Sequence, residues 1–202
     1  FYLRAQDTRG MFPFGGTDPA NPESWADHDD FRNGAIWPYV REERVYACPS
    51  YPAPGRFFLK RHYSMSGFIN SEGPNWGAKY TARGFSQVRN TSKTHVLIEE
   101  YDHRAEAGGP YSGPHGSFVV GYGGGMYANN WVDTPMMWHN LGAFFSYVDG
   151  HADYRRWVGP RMLTVNIYTW RHVSDGAGWP SQPDDAEDFA WIVGGVTNGY
   201  IY

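Results

Sequence analysis

The dipeptide Asp149-Gly150 is the feature that most constrains how this chain folds. It lies between two aromatic-rich runs in the stretch WHNLGAFFSYVDGHADYRRW, residues 138–157, and an Asp-Gly pair in that setting is a strong short-range signal for a β-hairpin. A two-residue loop gives both loop residues positive φ and places Phe145 opposite Tyr154. On one face, the predicted core face, the hairpin then carries Phe145, Tyr147, Ala152 and Tyr154.

Four other segments have a pattern that predicts regular structure. Residues 94–100, THVLIEE, predict a buried strand with acidic residues at its exit. Residues 56–68 and 162–170 predict two further strands, and residues 181–193 predict a short helix because a proline and three acids precede an apolar run. No internal repeat or low-complexity linker divides the chain, so one domain is expected.

The composition narrows the classes of protein. The 202 residues include 18% aromatic residues, 25 Gly and 14 Pro, which disfavours a helical bundle and favours extended structure with long loops. The net charge of -4, without a run of Lys or Arg, argues against nucleic acid as a partner. The one cysteine, Cys48, excludes an internal disulfide and a zinc cluster of several thiolates. No run reaches the ~20 apolar residues of a membrane span, so we expect a soluble fragment without membrane contact.

His139 precedes Asp149-Gly150 with nine residues between them, and four further segments accompany this motif in order. They are FYLRAQDTRGMFPF, GAIWPYVREERVYACPS, RHYSMSGF and FSQVRNTSKTHVLIEE. Together the five segments resemble the prepilin-type, processing-associated H-X9-DG proteins, which are related to the pseudopilins of type II secretion. The resemblance covers most of the chain.

This resemblance implies an α+β fold with a pilin-like head. In it, the end of an N-terminal helix, residues 1–9, packs on a small antiparallel β-sheet with long Gly/Pro-rich loops and a short C-terminal helix. Residues 1–202 are expected to form one pseudopilin-like domain, with core strands and hairpin at 94–157 and a C-terminal extension at 158–202. The implied function is a non-catalytic structural subunit of a secretion pseudopilus or pilus-like filament.

The same resemblance implies a location and partners. The location is extracellular or periplasmic, with an inner-membrane anchor if a hydrophobic helix precedes residue 1. The partners are other pseudopilin subunits or secretion components.

The acidic residues after the strand at 94–100 raise the question of a metal site. If that strand lies antiparallel beside residues 143–148, its exit meets the entrance of the second strand. Carboxylate and carbonyl oxygens are the ligands that calcium prefers, and calcium-bound loops of type II pseudopilins agree with this. The predicted ligands are Glu99, Glu100, Asp102, Asp133 and His139. The alternative is a set of solvated acids at a sheet edge.

His139 and Asp149 are not expected to share a site. Six extended residues span ~20 Å, so Asp149 serves the turn and His139 a loop at the other end of the strand.

Two other functions remain open. Four tryptophans in Gly-, Pro-, Asn- and Asp-rich loops could stack on sugars, which predicts a secreted polysaccharide-binding module; they are Trp25, Trp76, Trp131 and Trp179. A metal-dependent or lyase-type enzyme acting on polysaccharide is the third candidate, with His151, Tyr154 and Arg155 as one set able to abstract a proton. No recognised catalytic motif accompanies them.

Overall fold

The computed structural model of the chain describes 31–50, 62–70, 81–101, 117–121, 130–131, 133–159, 179–180 and 186–197. The predicted helix end at residues 1–9 and the predicted strand at 162–170 lie outside the described residues.

In chain order the described strands are β1 (Tyr63–Ser66), β2 (His95–Tyr101), β3 (Ser117–Phe118), β4 (Asn130–Trp131), β5 (Thr134–Pro135), β6 (Gly142–Tyr147), β7 (Ala152–Arg156) and β8 (Trp179–Pro180). Six of them form one mixed β-sheet, in which five follow the order β3-β1-β2-β6-β7. The short β5 pairs with the end of β2, and β4 pairs separately with β8. Because β1 and β3 are parallel, the sheet is not antiparallel throughout, which corrects the prediction. The long chain between β1 and β3 supplies the crossover that parallel neighbours need.

The described helices are one α-helix and three short 3-10 helices. They are α1 (Ala186–Thr197) and the 3-10 helices Phe31–Asn33, Glu43–Tyr46 and Phe85–Gln87. Helix α1 confirms the helix predicted at residues 181–193 and continues four residues further. Its apolar side chains Phe189, Ile192 and Val196 recur at helical spacing and are buried in the core. No helix within the described ranges combines the length and apolar character that crossing a membrane requires.

The predicted antiparallel pair of central strands is confirmed. Strand β2 matches the strand predicted at 94–100 with its bounds shifted by one residue, and it pairs with β6 through His95 opposite Tyr147 and Ile98 opposite Phe145. A bulge between His95 and Ile98 puts two residues where regular pairing has one. His95 and Ile98 are three positions apart and would point to opposite faces of a regular strand. Because of the bulge, both side chains lie on the same side of the sheet.

Apolar side chains are buried on both faces of this sheet. The cluster on the side of α1, here called the helix-side core, includes Ile98, Phe145, Trp157, Phe189 and Ile192. The cluster on the opposite side includes Tyr46, Met65, Val96 and Val148.

The hairpin of β6 and β7 is confirmed, but its register differs by one residue from the prediction. Phe144, not Phe145, lies opposite Tyr154. The N–H of Gly150 donates to the carbonyl of Tyr147 at 3.0 Å, which gives a three-residue loop from Val148 to Gly150. Among the loop residues only Gly150 has positive φ, at 96°, as in a type I turn followed by a left-handed glycine.

The change of register alters the predicted faces of β7. Phe145 and Tyr147 are buried as predicted, whereas Ala152 and Tyr154 are exposed. A slip of one residue moves every side chain of a strand to the other face, so the prediction was right for β6 and wrong for β7.

A buried histidine connects the central strand to helix α1. The imidazole of His95 contacts the rings of Phe145, Tyr147 and Trp191, with centroid distances of 4.9, 5.1 and 4.7 Å. It also lies directly against Gly195, where the helix backbone approaches β2. Burial lowers the pKa of His95 to about 3, so the ring is neutral in this apolar setting.

We expect this histidine to make stability fall in acid. The unfolded chain takes up a proton at His95 below a pH of about 6.5, whereas the folded chain does so only near 3. The free energy of unfolding should therefore fall by roughly one kcal/mol per pH unit from about pH 6.5 towards the folded pKa. Urea denaturation at several pH values checks this, with His95→Gln as the control that cannot titrate. Parallel pH profiles for the two proteins would contradict the assignment.

Candidate functional site

Three side chains that are distant in the sequence converge at one point beside β2. The Nε2 atom of His139 lies 3.1 Å from the Sγ atom of Cys48 and 3.0 Å from the Oε1 atom of Glu99. All three donor atoms lie within 4.8 Å of one another. Cys48 and Glu99 are buried, and His139 is partly exposed. The three residues are called the Cys48–Glu99–His139 cluster below.

Cys48 is held by the short 3-10 helix Glu43–Tyr46 and by a histidine that precedes β1. The N–H of Cys48 donates to Nδ1 of His62 at 2.6 Å. In turn the N–H of His62 donates to the carbonyl of Tyr46 at 2.9 Å. These two bonds fix the backbone of Cys48 against the start of β1, and its thiol is turned towards the cluster.

Glu99 is a buried carboxylate in the central strand. Its Oε2 atom accepts the N–H of Phe144 at 2.7 Å, which ties β2 to β6 through a side chain. Tyr63, its partner across the ladder in β1, interacts electrostatically with Glu99. Burial raises the pKa of Tyr63 well above its ordinary value, and the neighbouring Glu99 and Cys48 raise it further. The phenol therefore stays protonated beside the carboxylate.

His139 is positioned by a tight turn just before β6. Its N–H donates to the carbonyl of Gly142 at 3.3 Å, and the two residues between them, Asn140 and Leu141, have φ of 50° and 63°. Left-handed backbone is costly for residues other than glycine, least so for asparagine. The hydroxyl of Tyr154 lies 2.7 Å from the carbonyl of His139 and 3.0 Å from that of Asn140, and donates to them. The hairpin thus holds the strained turn that aims the imidazole at Cys48 and Glu99.

The strain at Leu141 predicts that a glycine variant is more stable than an alanine variant, which reverses their usual order of stability. In ordinary backbone glycine is less stable than alanine by about 0.5–1 kcal/mol, whereas left-handed backbone penalises alanine by roughly 1–2 kcal/mol. We therefore expect Leu141→Gly to unfold at higher denaturant than Leu141→Ala, with a free-energy difference of about 1 kcal/mol. Chemical denaturation of the two variants measures it. An Ala variant as stable as the Gly variant, or more stable, would show that the turn is unstrained.

The geometry separates two kinds of chemistry. In a relay of nucleophile, histidine and carboxylate, the imidazole uses one nitrogen for the nucleophile and the other for the orienting acid. Here Cys48 and Glu99 both lie against the same nitrogen of His139. The arrangement is therefore not a relay. Three different donor atoms within 4.8 Å of one another can instead act as ligands of a metal ion.

The structure brings together two of the five predicted metal ligands, Glu99 and His139, and leaves the other described ones elsewhere. Glu100 follows Glu99 in the strand, so its buried side chain lies on the opposite face of β2. Asp133 accepts the N–H of Val119 at 2.7 Å and so is engaged by the residue that follows β3. Neither belongs to the group of donors at His139, and Asp102 lies outside the described residues.

The four tryptophans predicted to bind sugar are not all available for that role. Trp131 is 2% exposed and packs edge-on against Phe189 in the helix-side core. This corrects the prediction that its ring lies on a surface loop. The backbone of Trp179 pairs with Trp131 in the β4–β8 ladder, while Trp25 and Trp76 lie outside the described residues.

The set of residues considered for proton abstraction is also dispersed. The ring of His151 stacks on Tyr147 with centroids 4.1 Å apart. Tyr154 is engaged by the turn carbonyls, and Arg155 forms ion pairs with two acids of α1. Neighbouring residues of a strand point to opposite faces, so Tyr154 and Arg155 do not act on one substrate atom.

Asp149-Gly150, the second part of the H-X9-DG motif, stabilises the hairpin loop. The carboxylate of Asp149 accepts the N–H of His151 at 3.2 Å and also pairs with its ring. The hydrogen bond from the His151 side chain is the main cause that lowers the pKa of Asp149. Gly150 supplies the positive φ that the loop needs. His139 and Asp149 therefore act at opposite ends of β6, as predicted.

Comparison with family models, curated proteins and solved structures gives no match for this chain.

Three residues of the site were not identified from the sequence as site residues: Cys48, His62 and Tyr63. The available signal was that Cys48 lies in VYACPS while His62 and Tyr63 lie in RHYSMSGF, two of the segments on which the resemblance rests.

Proposed function

We propose that the protein is a pseudopilin-like structural subunit of a secretion pseudopilus or pilus-like filament in the cell envelope. In this proposal the described sheet and helix belong to its globular head, and the pilin-like character of that head is part of the proposal. Other subunits or secretion components are the partners.

The observation that supports the proposal is the convergence of the resembling segments. Four of the five segments meet at one place, contributing Cys48, Tyr63, Glu99 and His139 in chain order. If the H-X9-DG motif served only to form a turn, the other resembling segments would have no reason to lie beside it. Their convergence supports the proposal that they share a role in the architecture of the head.

The chemistry of the cluster also favours a structural role. Glu99 accepts the backbone N–H of Phe144 in β6 and lies opposite Tyr63 of β1, so its side chain ties β2 to β6 beside β1. His139 does not form a relay of nucleophile, histidine and carboxylate, because Cys48 and Glu99 both lie against the same nitrogen of its imidazole. These are the bonds of a group that holds strands together, and they support a non-catalytic subunit.

The test is the location and processing of the protein in its own organism. An antibody against the 202-residue chain is used on cell fractions from the wild type and from a strain lacking the prepilin peptidase. We expect the protein in the envelope and sheared-filament fractions, and a larger unprocessed form in the peptidase mutant.

Other outcomes would support other functions. A protein free in the medium that is retarded in affinity electrophoresis by a polysaccharide would indicate the polysaccharide-binding module. A protein whose size and location do not depend on the peptidase, and which binds no polysaccharide, would contradict both readings. Turnover of a polysaccharide by the purified chain would indicate an enzyme.

A further inference from the structure

We propose that the Cys48–Glu99–His139 cluster is a zinc site with three protein ligands and one open position. The proposal goes beyond the structural function above and does not depend on it. It also replaces calcium as the metal, because the ligands that converge differ from those predicted from the sequence.

The donor types select the metal. A thiolate, an imidazole and a carboxylate are the three kinds of side chain that bind zinc in proteins. Calcium takes six to eight oxygen ligands, whereas this cluster offers one carboxylate together with sulfur and nitrogen. Soft thiolate ligands favour zinc over hard cations such as calcium and magnesium.

The distances fit a tetrahedral ion after a small adjustment. Zinc bonds of about 2.3 Å to sulfur and about 2.0–2.1 Å to nitrogen and oxygen separate tetrahedral ligands by roughly 3.3–3.6 Å. The observed separations from Nε2 of His139 are 3.1 Å to sulfur and 3.0 Å to oxygen. These two separations need to grow by only a few tenths of an ångström to admit the ion, and the third, between sulfur and oxygen, lies within 4.8 Å.

The charge of the cluster points to a cation as well. Glu99 is buried, and its partners are the His139 ring, the Phe144 amide and the Tyr63 phenol. No Lys or Arg within the described ranges forms an ion pair with it. An ionised Glu99 and a Cys48 thiolate together carry two negative charges, which one zinc ion neutralises. Buried charges need such compensation.

The exposure of the ligands defines how the ion reaches them. The side chain of Glu99 is 1% exposed, whereas that of His139 is 20% exposed. The ion therefore enters from the His139 side. Because no fourth ligand comes from the part of the chain that the structure describes, the fourth position is left for water or for a ligand from another molecule. Once bound, the ion would join the segment after the 3-10 helix, the central strand and the turn before β6.

The experiment is a titration of the metal-stripped 202-residue chain with Co²⁺, followed by its absorption spectrum. Cys48 is the only cysteine in the chain, so a thiolate-to-cobalt charge-transfer band can come from no other residue. We expect this band to saturate at one ion per chain, to disappear on addition of Zn²⁺ and to persist in excess Ca²⁺. Zn²⁺ should also raise the Tm of the chain, since a ligand that binds only the folded state stabilises it.

Variants assign the ligands. Cys48→Ser should abolish the charge-transfer band. His139→Ala and Glu99→Gln should weaken Co²⁺ binding by more than about 100-fold, because loss of a residue that only supports a ligand already costs up to about that factor. His151→Ala is the matched control, because this histidine lies at the hairpin loop with Asp149, and it should bind Co²⁺ like the wild type. Circular dichroism verifies the fold of each variant.

The wild-type spectrum decides the matter even if a ligand variant fails to fold. A folded wild-type chain that gives no charge-transfer band with Co²⁺ would overturn the proposal. So would a folded Cys48→Ser variant that keeps the wild-type affinity for Zn²⁺.

Discussion

Replacing Asp188 with alanine lowers the free energy of unfolding by about 3–5 kcal/mol, the usual cost of removing one partner of a buried ion pair. The carboxylate of Asp188 is fully buried, and its Oδ1 atom accepts from Arg155 at 3.1 Å. Its Oδ2 atom accepts the backbone N–H groups of Val158 and Gly159 at 3.0 and 2.8 Å. The substitution leaves these donors without their acceptor.

The neighbouring Glu187 is a matched control for this prediction. It also accepts from Arg155 at 3.1 Å, but its side chain is 73% exposed. Both acids lie in the first turn of α1, so the effects of helix propensity and helix dipole are similar for the two. Glu187→Ala should cost less than about 1 kcal/mol, as exposed ion pairs do. Urea denaturation of both variants measures the difference, and equal losses would show that burial does not decide it.

The second large effect is expected from two adjacent glycines of α1 that should respond to alanine in opposite directions. A Cβ at Gly195 would overlap the imidazole of His95, whereas a Cβ at Gly194 would meet nothing within 4 Å. The ring of His95 cannot move aside, because it is packed between Phe145 and Trp191. We expect Gly195→Ala to cost about 2–3 kcal/mol through overpacking, and Gly194→Ala to add about 0.5–1 kcal/mol through helix propensity.

Thermal and chemical denaturation of the two glycine variants tests this close approach of helix and strand. The difference between them should be roughly 3 kcal/mol or more. If both variants were stabilised, helix α1 would not lie against His95 in solution.

The local patterns predicted the main elements of the described fold. Consecutive aliphatic residues predicted β2, the Asp-Gly pair predicted the hairpin, and the acids before an apolar run predicted α1. The register of the hairpin was wrong because a two-residue and a three-residue loop can both end in a left-handed glycine. Val148, which enters the opposite core, belongs to the loop and not to the strand. Its burial depends on tertiary packing that the local pattern does not contain.

The site was predictable only where strand pairing governs it. Glu99 and His139 were expected to meet because β2 and β6 are antiparallel, and they do. Cys48 was not expected there, since it is separated from His139 by 91 positions and lies after a 3-10 helix whose direction the sequence does not fix. The parallel pairing of β3 with β1 was missed for the same reason. Long-range neighbours outside regular strand pairing follow from the whole fold.

The segments around the H-X9-DG motif meet at the Cys48–Glu99–His139 cluster. A double-mutant cycle with Glu99→Gln and His139→Ala tests it most directly, with unfolding free energies measured in the presence of a chelator so that metal binding does not contribute. The contact at 3.0 Å predicts a coupling energy of about 1–3 kcal/mol between the two positions. Additive effects, within about 0.5 kcal/mol, would mean that the two side chains do not touch and would contradict the account.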